Sequence, residues 1–290
     1  MQYPFDARRP FFSKRAWIFV FFLTVLSFSL SSILFAGAPK PFDHSTWDQF
    51  LKKFVNEKGE VDYAGVKKDP SLLEAYLKQM SPRILPKKSE NENVWPREER
   101  MAILINAYHA GMIDQIRRHY PIKVVGDIPN FWEAQCVAIE KDRFSLNSIR
   151  NSQLLQTFRD VKIHTVLSWA ARGGPRLRQE AFTGPLVEGQ LFMATREFVN
   201  NPEFVRVIPG RKKIEISKIF EWNAQDFLFN FSSLENDQGW SKLDFSVLSF
   251  LANYLEDPEK VKFLEENKYK IKYLPFDWSL NEWVKNQEHP

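Results

Sequence analysis

The chain has 290 residues, 44% of them hydrophobic and 26% charged, which excludes a short peptide, a collagen-like repeat and a disordered tail. The net charge is +4, and residues 1–38 supply a surplus of three through Arg8, Arg9, Lys14 and Arg15 against Asp6 alone, leaving the body near +1. A body so balanced has no whole-surface attraction for phosphate backbones, so composition gives no support to nucleic acid as a partner.

From Ala16 to Ala36 run 21 residues without a charge, behind a basic flank and ahead of Lys40. As a helix this stretch spans roughly 30 Å, the thickness of a bilayer core. Basic flank, apolar run and small residues stand in the order of an export signal, and the hydroxyls from Thr24 to Ser32 weaken its second half. The segment reads either as a retained anchor, holding the protein to the membrane through residues 16–36, or as a signal peptide cleaved after Ala38. Ala36-Gly37-Ala38 suits the peptidase, but Pro39 follows and hinders an extended bound backbone. The basic flank stays in the cytoplasm and the body faces the other side. The expected body is therefore periplasmic, or secreted if released.

An oxidising compartment permits disulfides, yet Cys136 is the single cysteine. It stands in Phe131-Trp132-Glu133-Ala134-Gln135-Cys136-Val137-Ala138-Ile139, where a thiol behaves as a small hydrophobe. An activated nucleophile would need a lowered pKa that nothing nearby announces.

In the body, Trp47, Phe50, Leu51, Phe54 and Val55 repeat at helical spacing after Ser45, with Gly59 as the stop. Val61-Asp62-Tyr63 reads as an extended connection. A second helix carries Leu72, Leu73, Tyr76, Leu77 and Met80, and Ser81 to Val94 reads as a surface loop. Pro96 opens a long helix to about Tyr120, with Glu98 and Glu99 favourable at its positive end. Ala102, Ile105, Ile113 and Ile116 form its expected buried stripe, while Asn106 and His109 project together from one turn. Ser145 starts a further helix by capping Ser148. Lys162 to Trp169 reads as the best strand, placing His164, Val166 and Ser168 on one face. The glycines and proline of Ala170 to Arg176 then offer either an ordinary turn or backbone N–H groups exposed to a ligand. Gly184-Pro185 opens a helix. Residues 204–208 and 212–216 form a hairpin across Pro209-Gly210, predicted as a type II turn. Ser217 starts a helix bearing Trp222, Asn223, Asp226 and Phe227. Helices over 243–255 and 261–266, a strand at Lys270–Leu274 and a terminal turn or helix at Leu280–Val284 complete the chain. The expected fold is α+β, a mainly helical single domain over 39–290 with a small β-sheet, preceded by an N-terminal hydrophobic helix within 1–38.

Four stretches, taken together, resemble the family called domain of unknown function 547: Gly59-Glu60-Val61-Asp62-Tyr63, Ile105-Asn106-Ala107-Tyr108-His109-Ala110, Ile163-His164 to Leu177, and Ile216-Ser217-Lys218-Ile219-Phe220 through Asp226-Phe227. The resemblance covers roughly residues 50–231 and implies a secreted or membrane-attached protein, without supplying a reaction. The family pattern has Asn-Ala-Tyr-Asn-Ala on the helix and Arg-Ile-His ahead of a cysteine-containing, glycine- and proline-rich stretch. Here His109 replaces the second asparagine, the two family cysteines fall at Trp169 and Gly174, and Arg150 stands where the pattern has glutamate. A thiolate activated by histidine, if typical members use one, is therefore missing its nucleophile at the matched positions, and Cys136 does not substitute for it.

A nucleophile needs a base within hydrogen-bond reach and an orienting group behind it. Asn106, His109, His164 and Asp226 are the candidates, with His164 as base and Asp226 or Asn106 fixing its tautomer. Ser168 is a poor nucleophile for His164 if the segment is extended, since four residues span about 13 Å. Scattered histidines without close ligand spacing are weak grounds for a metal, and no cofactor is expected. Three functions stay open: an envelope-associated domain binding a small ligand or protein partner in a cleft lined by Tyr108, Trp169, Arg172, Gly173, Gly174 and Trp222; a hydrolase or transferase centred on His164; and a structural envelope element. Export predicts that a C-terminal reporter requiring a non-cytoplasmic location is active, and that the mass of the mature chain separates anchor from cleaved signal.

Overall fold

A computed structural model of the chain describes residues 41–80, 95–139, 142–231, 240–265 and 269–284. The apolar segment 16–36, the junction after Ala38 and the Ser81–Val94 loop lie outside the described residues. Among the described residues no helix is long and apolar enough to cross a membrane.

The first half is helical. Trp47, Phe50, Leu51 and Phe54 bury one face of α1 (Ser45–Phe54). Two short helices follow, α2 (Tyr63–Lys68), capped by Asp62 accepting from the Gly65 N–H, and α3 (Ser71–Met80). The connection expected at Val61-Asp62-Tyr63 is thus extended only at Val61, which bridges Val55; Tyr63 already belongs to a helix. The long helix α4 (Arg97–His119) has Glu98 and Glu99 in its first turn and Arg117, Arg118 and His119 in its last, both favourable to the macrodipole. Its burial exceeds the predicted stripe: every residue from Met101 to Ile116 is buried, so α4 is a central post with neighbours on all sides.

Past α4 the chain makes a small hairpin, β1 (Val137–Ile139) with β2 (Asp142–Phe144), antiparallel. The Ser148 N–H donates to Ser145 Oγ at 3.0 Å, the expected cap. What it opens is a π-helix, Ser148–Leu155, running into α5 (Gln156–Phe158). Its buried apolar residues, Ile149 and Leu154, are five apart, matching the wider turn.

The strand expected over Lys162–Trp169 does not form. Val161–Thr165 is a 3-10 turn, started by the Asp160 carboxylate accepting from the Lys162 N–H at 2.9 Å. Residues 163–168 are all buried, so β-branched residues that suggest period two pack on every side instead of alternating. His164, Val166 and Ser168 do not share a strand face.

The second half places α6 (Val187–Asn200), introduced by the 3-10 turn Gly184–Leu186, beside a three-stranded sheet. In it β3 (Val205–Ile208) pairs antiparallel with β4 (Lys213–Ser217), and β5 (Lys270–Leu274) runs parallel to β4. The Pro209-Gly210 turn is not type II. Pro209–Arg211 is a 3-10 turn, and Lys212 (φ 47°) takes the left-handed position that a type II turn would give to glycine. Helices α7 (Lys218–Trp222), α8 (Ala224–Phe231), α9 (Lys242–Tyr254) and α10 (Pro258–Glu265) complete this half around Phe220, Phe227 and Phe250. Ser217 caps α7 as expected. The described residues thus carry an α+β fold, mainly helical with small sheets.

The tail is neither helix nor turn. Ser279, Leu280 and Glu282 form isolated bridges with Val124, Ala171 and Val61, strapping three loops together. Asn281 locks the strap: its Oδ1 accepts from the Tyr63 hydroxyl at 2.7 Å, and its Nδ2 donates to the Gly59 carbonyl at 3.3 Å. Gly59 is required there, since φ is +76° and an added Cβ would lie 2.8 Å from the Leu177 nitrogen. Asn281→Ala leaves a buried hydroxyl unpaired, and a loss of about 1–3 kcal/mol is expected, read as a lower urea midpoint at unchanged slope.

Candidate functional site

Three packed segments bring the site together: the π-helix, the 3-10 turn after Asp160, and α8. His164, 2% exposed, sits where they meet. Its Nε2 is 2.8 Å from Asp226 Oδ2, and its Nδ1 is 3.4 Å from an Arg150 Nη2. A guanidinium only donates and a carboxylate only accepts, so the proton is on Nε2 and Nδ1 accepts. Burial pulls the His164 pKa down, against the opposing pull of Asp226. The imidazole is therefore neutral at pH 7. Asp226 is held below the ordinary carboxylate range, chiefly by the hydrogen bond from His164.

Arg150 also donates to Asn223 Oδ1 at 2.5 Å and lies 5.5 Å from the centre of the Trp169 ring. Burial lowers the guanidinium pKa without discharging it. Trp169 stacks on Trp222 at 5.5 Å and 16°, and Trp222 stacks on Trp278 at 5.8 Å and 28°. Phe276 fills the angle between them, 4.4 Å from Trp278. Trp222 and Trp278 are each 43% exposed, so the cluster reaches the surface. Ring pairs of this kind contribute about 0.5–1.5 kcal/mol each beyond the area they bury. A recess of about 250 Å³ lined by Arg159, Phe229 and Asn230 adjoins Asp226.

Of the four candidates for chemistry, the structure brings together His164 and Asp226. Asn106 is a brace: its Nδ2 donates to the Phe182 carbonyl and to His44 Nδ1, and its Oδ1 accepts from the Phe182 N–H. His109 is a clamp, with Nε2 accepting from the Ser168 N–H at 3.1 Å and the other nitrogen donating to the Val166 carbonyl. Tyr108 is buried, and its hydroxyl makes no hydrogen bond among the described residues while interacting electrostatically with Arg150.

The glycine-rich turn keeps its N–H groups for the protein. Arg172 N donates to Ser279 O, Gly173 N to Asp277 O and Gly174 N to Ala171 O, at 2.9, 2.9 and 3.0 Å. Gly173 is there for close approach, since a Cβ would lie 2.6 Å from the Asp277 nitrogen. Of the two alternatives the ordinary turn forms, and these N–H groups are not open to a ligand. The Arg172 side chain pairs with Glu60, and the turn lines a groove of about 600 Å³ that meets the aromatic cluster at Phe276.

Sequence reasoning did not single out Asn223, Phe276 and Trp278 as site residues, and noted Arg150 only as a departure. The aromatic run Phe276-Asp277-Trp278 near the end of the chain was the available signal. Cys136, half-buried, accepts from Gln115 Nε2 at 3.2 Å, and burial raises its thiol to about 11, the state of an inert core cysteine.

These features define an α+β domain with a neutral histidine held between a carboxylate and a guanidinium, beside a partly exposed tryptophan cluster. Residues 93–199 match the model of the family described as protein of unknown function, DUF547, so this segment is similar to that family. The match includes Arg150, His164 and Trp169, whereas Trp222, Asp226 and Trp278 lie beyond it. No curated protein and no solved structure matches the chain.

Buried histidines make stability depend on pH. Burial lowers His44 to about 4 and His109 to about 3, from an ordinary 6.5. Between those values and 6.5 the unfolded chain binds protons that the folded chain refuses, so stability is full above about pH 6.5 and falls as pH drops. The slope reaches about 1.4 kcal/mol per pH unit for each such histidine. Urea midpoints should fall between pH 7 and pH 5, less steeply in His44→Asn; a flat profile would contradict neutral buried rings.

Proposed function

We propose that the chain is a binding protein of the DUF547 family, holding a small ligand against the aromatic cluster beside His164 without a covalent step. The observation that supports it is the cover on His164 Nδ1. A general base needs that lone pair facing substrate, but Arg150 lies against it at 3.4 Å. The family resemblance adds weight: the positions where it implies a thiol and a carboxylate carry Trp169 and Arg150, and these two side chains touch each other. An indole cannot attack a carbonyl as a thiolate does, and a guanidinium cannot accept a proton.

Trp222 and Trp278 suit capture, since large rigid rings supply contact area at small entropic cost. We also propose that the body works outside the cytoplasm in an envelope role, on the export signal read in the sequence.

Thermal-shift titration of the full-length chain against a panel of neutral sugars, aromatic acids and amines should find a ligand, with mass spectrometry returning it unchanged. Trp222→Ala and Trp278→Ala remove half-exposed side chains, so both should fold and weaken capture tenfold or more. Undiminished capture in both variants removes this site. Turnover abolished in His164→Ala would replace binding by catalysis.

A further inference from the structure

Resting on the binding reading, we infer that the ligand is a monoanion, a carboxylate carried on a flat apolar body, with Arg150 as the anion's partner and the tryptophan cluster as the body's. The charge inventory points there. Arg117, Arg172 and Arg178 each have a carboxylate within ion-pair distance. Arg150 has none among the described residues, although it is more enclosed than Arg172 and lies at the centre of the site. Its hydrogen bonds to neutral partners, Asn223 Oδ1 and His164 Nδ1, both use Nη2. The Nε and Nη1 donors make none to the described protein, so the Nε–H and both Nη1–H groups remain to donate to a carboxylate. A half-buried cation held by two neutral acceptors and a π-face, and acted on by the Asp226 charge only from the far side of His164, has no direct counter-ion, so it favours a ligand that brings one.

Two neighbours sharpen the class. The Tyr108 hydroxyl, buried and without a hydrogen bond in the described protein, interacts electrostatically with this guanidinium and is a second donor for an anion. Asp226 keeps a negative charge on the opposite nitrogen of His164, with its side chain half exposed. That charge repels a ligand carrying two negative charges more than one carrying a single charge, which selects a carboxylate over a phosphate monoester. The stacked indoles complete the description, because a flat ring or apolar face gains most against them.

The test compares isosteres by isothermal titration calorimetry on the full-length chain at pH 7. With 2-naphthoate, 2-naphthamide and 2-naphthyl phosphate as probes, naphthoate should bind at least tenfold tighter than either of the others. Arg150→Gln should erase the preference over the amide, and Arg150→Lys should retain part of it. Tyr108→Phe, which deletes a hydroxyl without a protein partner, should leave the melting temperature unchanged and weaken naphthoate several-fold while sparing naphthamide. This variant and the wild-type comparison decide the matter even if the Arg150 variants fail to fold. Equal affinity for acid and amide, tighter binding of the phosphate, or no binding of naphthoate each overturns the inference. If a neutral sugar is captured through Trp222 and Trp278 instead, the inference falls while the binding reading stands; if nothing depends on those tryptophans, both fall.

Discussion

A polar group buried in a helix must find a partner or cost the fold several kcal/mol, and α4 carries four such groups within ten residues. Asn106 takes the backbone of Phe182, and His109 takes Ser168 and Val166. Asp114 is satisfied by Arg117 and Arg118 from its own last turn, and Gln115 reaches the Phe131 carbonyl and the Cys136 sulfur. Each partner outside α4 lies on a segment with little regular structure. The segments 131–136, 166–168 and 181–183 are placed by polar satisfaction as much as by packing, and the second leads directly into Trp169. The site is therefore built on loops whose positions are pinned from below by the central helix.

The same rule acts on His164. Its two nitrogens are claimed by groups of opposite charge, which fixes the tautomer. Arg150 in turn is fixed by the wider π-helical turn, by Asn223 and by the Trp169 face. Arginine at that position supplies donors and a positive charge where the resemblance implies a carboxylate, and the Trp169 indole supplies an aromatic face where it implies a thiol. The two departures from the family pattern are compatible with each other because a guanidinium packs well on an indole. Reversing one alone would leave the other without its contact.

Much of the helical framework was legible, and the reasons are local. Pro96 followed by two glutamates, a long apolar run and Pro121 marks α4 whatever packs around it; Ser217 and Ser145 are caps readable from their neighbours. The losses occur where long-range contacts decide. Lys162–Trp169 is rich in β-branched residues, but burial on every side and the Asp160 cap make it a 3-10 turn. The tail is read as a turn or helix because its pairing partners, Val61, Val124 and Ala171, lie more than 100 residues away. At Pro209-Gly210 the local rule itself yields, with Lys212 taking the left-handed conformation. The candidate site was half visible for the same reason. His164, Asp226, Trp169 and Trp222 stand out by residue type, while which of them meet is a property of the tertiary fold, and Asn106 and His109 stand out equally yet serve α4.

The tail also supplies part of the candidate site. Residues 93–199 contribute Arg150, His164 and Trp169, but these are at most half-exposed and offer little surface. At the cluster the exposed aromatic area comes from outside that segment, with Trp222 from the end of α7 and Trp278 from the strap. Phe276 and Trp278 reach Trp169 because Asp277 and Ser279 accept from the N–H groups of Gly173 and Arg172. Glycine at 173 permits that approach, and Asn281 anchors the following residues to Tyr63 and Gly59. The glycine-rich turn thus does bind a peptide backbone, but it is the chain's own. A relative keeping the His164 pocket with a different tail would present different rings to solvent, so the exposed aromatic surface can change while the buried histidine and its two charged neighbours stay in place.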